Sequence, residues 1–322
     1  MAAVWIGSIL FLLGAVCIGI LTVAAELSFA DISTALTDST RSSAAARILW
    51  YVRLPRVCAA LAGSGAVIQG VLANHLASPG MIGVNAGAGL AVTLCAACGI
   101  LGGWRLSLAA FLGAFVCALA VSGAAKRWGA SDGVVILIGA ALNSLLGAVS
   151  DTVVAVNPDV SIMNSAFRAG DFSAVTAATL VPAAVAVTAA IGILLLLTGE
   201  LDVLSLGEDR ARGLGMQTGR MRVLFLLLSA VLAGAAVSVA GLLSFVGLLV
   251  PHAVRRIVGG TAGRLLPFCA ILGGAFTVLC DTAARVLFAP YELPVGIFLS
   301  FLGAPFFLYL LLRRRGGGNL HD

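Results

Sequence analysis

The sequence predicts an all-α, polytopic membrane protein of about ten transmembrane helices with both termini in the cytoplasm. Three observations carry that expectation. Hydrophobic residues make up 61% of the 322-residue chain and charged residues only 10%, with a mean hydropathy of +1.11, a composition that water solvates poorly. Apolar runs close to the roughly 20 residues that a hydrocarbon core demands recur between short polar or Gly/Pro-rich intervals. The period-2 alternation of a membrane β-barrel is absent.

Taken in order, the first span covers 3–24; it has no basic n-region and a long apolar stretch, so it reads as a retained helix rather than a cleaved signal. A loop of mixed charge follows at 26–51. The next span, 57–73, stops at 74–80 (NHLASPG), a turn by its Asn, Pro and Gly. Further spans fit 81–101, 106–125, 134–156 and 172–197. Then comes the longest polar interval, 199–222, with four acids and four arginines. The apolar run 223–250 is long for one crossing and short for two, and charge decides. Arg210, Arg212, Arg220 and Arg222 precede it and Arg255, Arg256 and Arg264 follow, so a chain that keeps basic loops inside crosses twice, reversing near Gly234 or Gly241. Spans at 265–282 and 293–312 complete ten crossings, and Arg313, Arg314 and Arg315 stop the last. Of the 19 Lys and Arg, this topology puts 12 inside and 7 outside.

The net charge of +5 comes from arginines spread over short loops rather than clustered, which argues for topology signals and against nucleic-acid binding. The seven cysteines form no disulfide framework. Cys95 and Cys98 make a CxxC inside an apolar segment without His or acid nearby, and read as small membrane-helix residues. Within 199–222, Ser205 and Glu208 have the spacing of a capping box, which predicts a short helix over 206–212 stopped by Gly213 and Gly215. Such a helix, carrying Glu208, Asp209, Arg210 and Arg212, has the shape of a docking surface for a soluble partner; the alternative is a solvated loop.

Four stretches, in order along the chain, carry a resemblance. They are 53–56 (RLPR) leading to Gln69, Gly70 and 74–88 (NHLASPGMIGVNAGA); 206–215 (LGEDRARGLG); 245–255 (FVGLLVPHAVR); and 281–285 (DTAAR) with 292–296 (ELPVG) and 303–306 (GAPF). Together they resemble the permease family of type II ABC importers that take up iron-siderophores, haem and cobalamin. The resemblance implies a ten-helix permease of the bacterial or archaeal cytoplasmic membrane, paired with a second copy or a paralogous permease. It also implies two soluble ABC ATPase subunits below, holding the ATP and Mg, and an extracytoplasmic substrate-binding protein above, with no cofactor bound by this chain. One residue-level observation agrees. A Walker A loop ends in Lys followed by Ser or Thr, and the only lysine, Lys126, precedes Arg127.

By the same resemblance, Leu206, Gly207, Glu208, Ala211, Leu214 and Gly215 belong to the element that couples to the ATPase. Arg53, Arg56 and Arg285 match positions that present arginines to glutamates of the binding protein, a task suited to the planar guanidinium. Two local readings stand beside this: Arg285 pairs with Asp281 one helical turn away, and Arg53 and Arg56 sit among lipid headgroups. Asn74 and Leu76 resemble a cytoplasmic gate, with Ser131 and Asp132 near a second gate position; a surface turn is the alternative for the first. The chain departs from the family pattern at His75, where proline is typical, and at 167–171 (FRAGD), where Trp and a Gly-Ser pair are usual.

The competing class is an ion-coupled secondary transporter, which needs ionisable groups at mid-membrane depth. Its candidates, Asp151, Asp281 and Glu292, fall near span ends. His75, His252 and His321 lie in separate loops or the tail, and no HExxH or nucleophile constellation argues for an enzyme. Among cargoes, the family prior favours a ferric-siderophore, with haem or cobalamin as alternatives.

Overall fold

The computed structural model describes residues 2–23, 56–127, 132–172, 175–288, 291 and 293–315, and among these holds thirteen α-helices and no strand. They are α1 (Ala2–Val23), α2 (Arg56–Val71), α3 (Val84–Ala97), α4 (Gly103–Arg127), α5 (Asp132–Val156), α6 (Ser161–Ala169) and α7 (Ala177–Leu196). The chain continues with α8 (Thr198–Ser205), α9 (Glu208–Gly213), α10 (Thr218–Ala240), α11 (Val246–Val258), α12 (Ala262–Leu287) and α13 (Val295–Arg315). A 3-10 turn at Pro79–Ile82 leads into α3.

Five helices, α4, α5, α7, α10 and α12, are long and apolar enough to cross a membrane, and shorter apolar stretches lie in α1, α2, α3 and α13. The run 223–250 does break, at Gly241 and not at Gly234. Gly241 takes φ 69, a conformation that costs glycine least, whereas Gly234 sits inside α10 with Phe111 beside it. The helix that follows, α11, has 13 residues and so extends about 20 Å.

The core is built where α2 meets α10. Val67, Ile68, Phe225, Leu226 and Leu232 are fully buried there. Lipid tails are as apolar as these side chains, so helix association relies on close packing and interhelical hydrogen bonds. Both are present. Ser64 Oγ and Ser229 Oγ lie 2.7 Å apart, with Ser64 Oγ also 2.9 Å from the Ser229 carbonyl. On the next face, α11 approaches so tightly that a Cβ at Gly65 would fall 1.8 Å from the Gly247 carbonyl oxygen. Trp5 of α1 packs on Phe268 of α12 at 4.3 Å between ring centroids. At one end of α10, backbone bonds tie three elements together: Asp171 N to Ala240 O (2.9 Å), Leu242 N to Phe167 O (3.0 Å) and Gly296 N to Gly170 O (3.1 Å). That junction of α6, α10 and α13 lies at the far end of α10 from α9.

Candidate functional site

The polar interval 199–222 is largely helical. Ser205 ends α8 and donates its Oγ to the Asp202 carbonyl (2.7 Å), so it does not cap the next helix and the expected capping box does not form. Gly207 stands at the N-cap position instead, at φ 100, and α9 starts at Glu208, two residues later than expected. Its end is one residue later than expected: Gly213 is still helical, and the stop falls to Gly215 alone. Gly215 (φ 84) closes a Schellman pattern, with Gly215 N bonded to Arg212 O (2.9 Å) and Met216 N to Ala211 O (3.1 Å).

Freed from capping, Glu208 turns back on its own chain. One carboxylate oxygen accepts from Arg212 (2.5 Å) and from Thr218 Oγ1 (3.3 Å); the other pairs with Arg222 at 3.0 Å. Arg212 Nε also donates to Thr218 (3.1 Å). Arg222 is 8% exposed in its side chain, so this pair stitches α9 to the first turn of α10 in a mostly dry setting. Ala211 is wholly buried beneath the helix. The outward surface is left to Leu206 and Leu214, 50% and 67% exposed, with Asp209 and Arg210 between them. Two leucines held out at either end of a clamped helix present exposed apolar area. Thr218 and Arg222 were not among the sequence candidates. Fourteen residues separate Arg222 from Glu208, and no helical periodicity spans that gap.

The 74–80 turn is ordered by Asn74, whose Oδ1 accepts from Leu76 N (3.0 Å), an Asx turn. Ala73 before it takes φ 41. Leu76 lines a cavity of about 300 Å³, which adjoins another of about 680 Å³; the two share Ser78, Gly80, Met81 and Asn85. The larger runs along α5, where Asn143 Nδ2 donates to the Gly80 carbonyl (2.9 Å), up to Arg168 of α6. Arg168 pairs with Asp151 at 2.8 Å. Sequence patterning marked none of the lining residues on α5, because the two polar side chains among them, Asn143 and Ser150, stand in a largely apolar run.

The remaining candidates are placed as follows. Arg285 lies on α12, its Nε 3.2 Å from Asp281, the local pairing that the spacing allowed. Arg56 opens α2 and Asp132 opens α5; Arg53, Ser131 and Glu292 lie outside the described residues. His75 is exposed, while His252 of α11 meets Phe306 edge-on at 6.2 Å. Among the described residues no group of three or more His, Cys, Asp or Glu could hold a metal ion.

Residues 10–313 match the model of the FecCD transport family. The chain belongs to that family. Its FecCD relatives include the hemin transport system permease protein HmuU of Yersinia pestis, 36% identical over 283 residues that cover 83% of this chain and 85% of the relative. Another is the iron-uptake system permease protein FeuB of Bacillus subtilis, 34% identical over 292 residues, 85% and 84% of the two chains. A third, the cobalamin import system permease protein BtuC of Halobacterium salinarum, is 39% identical over 283 residues, 83% and 74% of the two. A solved inward-facing conformation of a metal-chelate type ABC transporter superposes with a TM-score of 0.77 at 28% identity, covering 94% of this chain and 98% of that one. This FecCD chain is therefore a multi-pass membrane protein, the permease subunit of a metal-chelate type ABC importer, and a transport component rather than an enzyme.

Proposed function

We propose that this permease carries an iron chelate, a ferric-siderophore foremost, across the cytoplasmic membrane, driven by ATP hydrolysed on separate subunits. In this reading ten crossings leave both termini in the cytoplasm, and the chain pairs in the bilayer with a second copy or a close relative. A substrate-binding protein docks outside, where Arg53, Arg56 and Arg285 meet its carboxylates. The two ATPases bind below with their ATP and Mg, and the permease itself holds no cofactor.

The observation that carries the reading is the clamped α9. Glu208 fastens it to α10 through Arg222, so a push on Leu206 and Leu214 moves α10 as a body rather than bending a loop. Gly207 and Gly215 let the chain enter and leave so short a helix. The cavity beside α5, of a size that takes small-molecule ligands, holds the cargo, and Asn74 and Leu76 with Ser131 and Asp132 close it from the cytoplasm. Iron chelates are favoured because HmuU and FeuB are named for hemin and iron uptake. A cobalamin is the second reading, favoured by the 39% identity to BtuC.

Co-expression with candidate ABC ATPases and binding proteins of the same organism, followed by ATPase assays in lipid, tests the proposal. Hydrolysis stimulated by the binding protein loaded with a ferric-siderophore is the expected result. Stimulation by a cobalamin alone replaces the cargo. An ATPase that does not co-purify, with uptake following a proton or sodium gradient, overturns the reading.

A further inference from the structure

The N-terminus of α12 is capped from another helix. Thr261 stands at the N-cap position, and threonine there ordinarily accepts from the first-turn backbone, yet its side chain makes no cap bond. The acceptor is Asp202 of α8, whose Oδ1 takes the Ala262 N–H at 2.7 Å across 60 residues of sequence. A carboxylate suits the positive end of a helix dipole. Arg255, near the end of α11, also lies within electrostatic reach of Asp202.

The geometry makes this bond more than a local cap. Asp202 sits one turn before Leu206, in the helix that leads directly into α9. At the other side of the bond, α12 runs 26 residues, about 39 Å, to the Asp281–Arg285 pair at the opposite end of the molecule. Pro267 removes one backbone donor close to the start of α12, so the direction of the first turn depends on what holds its leading N–H.

We propose that Asp202 is a positioning residue that couples the α8–α9 block to α12, making α12 the path by which docking of the binding protein at the far end reaches the ATPase. This rests on the importer reading above and adds a second route beside the Glu208–Arg222 clamp. Motion of the block then reaches α10 through an ion pair and α12 through a charged helix cap.

The test uses the whole complex in lipid, with basal and binding-protein-stimulated ATP hydrolysis and uptake per ATP as readouts. Asp202→Ala is expected to keep basal hydrolysis within twofold and to lose stimulation at least fivefold. Asp202→Asn, which retains the oxygen acceptor, restores most of it. Ala262→Pro removes the donor instead. Position 262 is the first helical residue, where proline is tolerated and Thr261 (φ −71, ψ 131) already has the backbone that precedes proline, so the helix survives while the bond is lost. It is expected to reproduce the Asp202→Ala loss, and the double variant to be no worse than either single one. Wild-type stimulation in Asp202→Ala or in Ala262→Pro, or an Asn variant as defective as Ala, overturns the proposal. Should Asp202→Ala fail to assemble, Ala262→Pro alone decides. A wild-type complex that responds to no binding protein instead sinks the importer reading beneath it.

Discussion

Charge is handled in opposite ways at the two ends of α10. At the α9 end, Glu208 and Arg222 join two helices, and the Arg222 side chain is only 8% exposed. At the far end, Arg168 and Asp151 pair in the open, 49% and 64% exposed, while Arg285 and Asp281, 24% and 13% exposed, pair within a single helix and join no second element. A buried pair between elements is expensive to break, since losing one partner strands a charge away from water. An exposed pair exchanges readily with solvent and is worth little. The α9 end thus ties two helices together through charge, as the proposed transmission of force requires, whereas at the far end the Arg168–Asp151 pair is open to exchange and the Asp281–Arg285 pair joins nothing beyond its own helix.

The largest expected effect is on the transmitting end. Arg222→Ala removes the buried partner of Glu208, which keeps only its contacts to Arg212 and Thr218, and should lower stability by about 2 kcal/mol, read as a fall in thermal midpoint, together with loss of uptake. Arg222→Lys keeps the charge and should recover part of both; equal damage from Lys and Ala would show that the guanidinium's two-sided geometry, more than its charge, forms the clamp. At the opposite end, Arg285→Ala removes a partly buried pair within one helix and should cost about 1 kcal/mol of stability while weakening binding-protein affinity about tenfold, measured on permease in nanodiscs. Asp281→Asn, which removes the carboxylate charge beside Arg285, should leave that affinity unchanged or raise it. A larger stability loss than affinity loss in Arg285→Ala would make it structural and blur the contrast between the ends. Smallest of all, Asp151→Asn should shift stability by less than 1 kcal/mol, and a thermal midpoint lowered as far as in Arg222→Ala would erase the contrast altogether.

Much of this was legible before any coordinates. Composition and run length called for a helical membrane protein, and the long helices α4, α5, α7, α10 and α12 follow the apolar runs, whereas α6 and α8 lie outside them and were not foreseen. The short helix in the polar interval was also readable, through Gly215. What failed did so for a physical reason. The Ser205–Glu208 spacing fits a capping box, but Ser205 had a nearer acceptor within α8 and Glu208 a stronger partner in Arg222. Local spacing rules see neighbours a turn apart; they do not see a guanidinium 14 residues on or a helix start 60 residues on. The reversal after α10 was narrowed to two glycines and no further, because only packing distinguishes Gly234, enclosed beside Phe111, from Gly241 at a positive φ. The cavity was invisible for a related reason: α5 and α10 both read as membrane spans, yet 17% of the α5 window is buried against 67% of the α10 window, a contrast far larger than their modest difference in hydropathy.

The central claim is that α9 presents Leu206 and Leu214 to the ATPase while Glu208 holds the helix to α10. Photo-crosslinking in the assembled complex tests it most directly, with the reactive residue placed at Leu206, at Leu214 and, as a control, at Leu137, which is exposed on α5. The account predicts ATPase adducts from both positions flanking α9 and none from Leu137. Adducts absent at 206 and 214, in a complex whose ATPase still co-purifies, would contradict it.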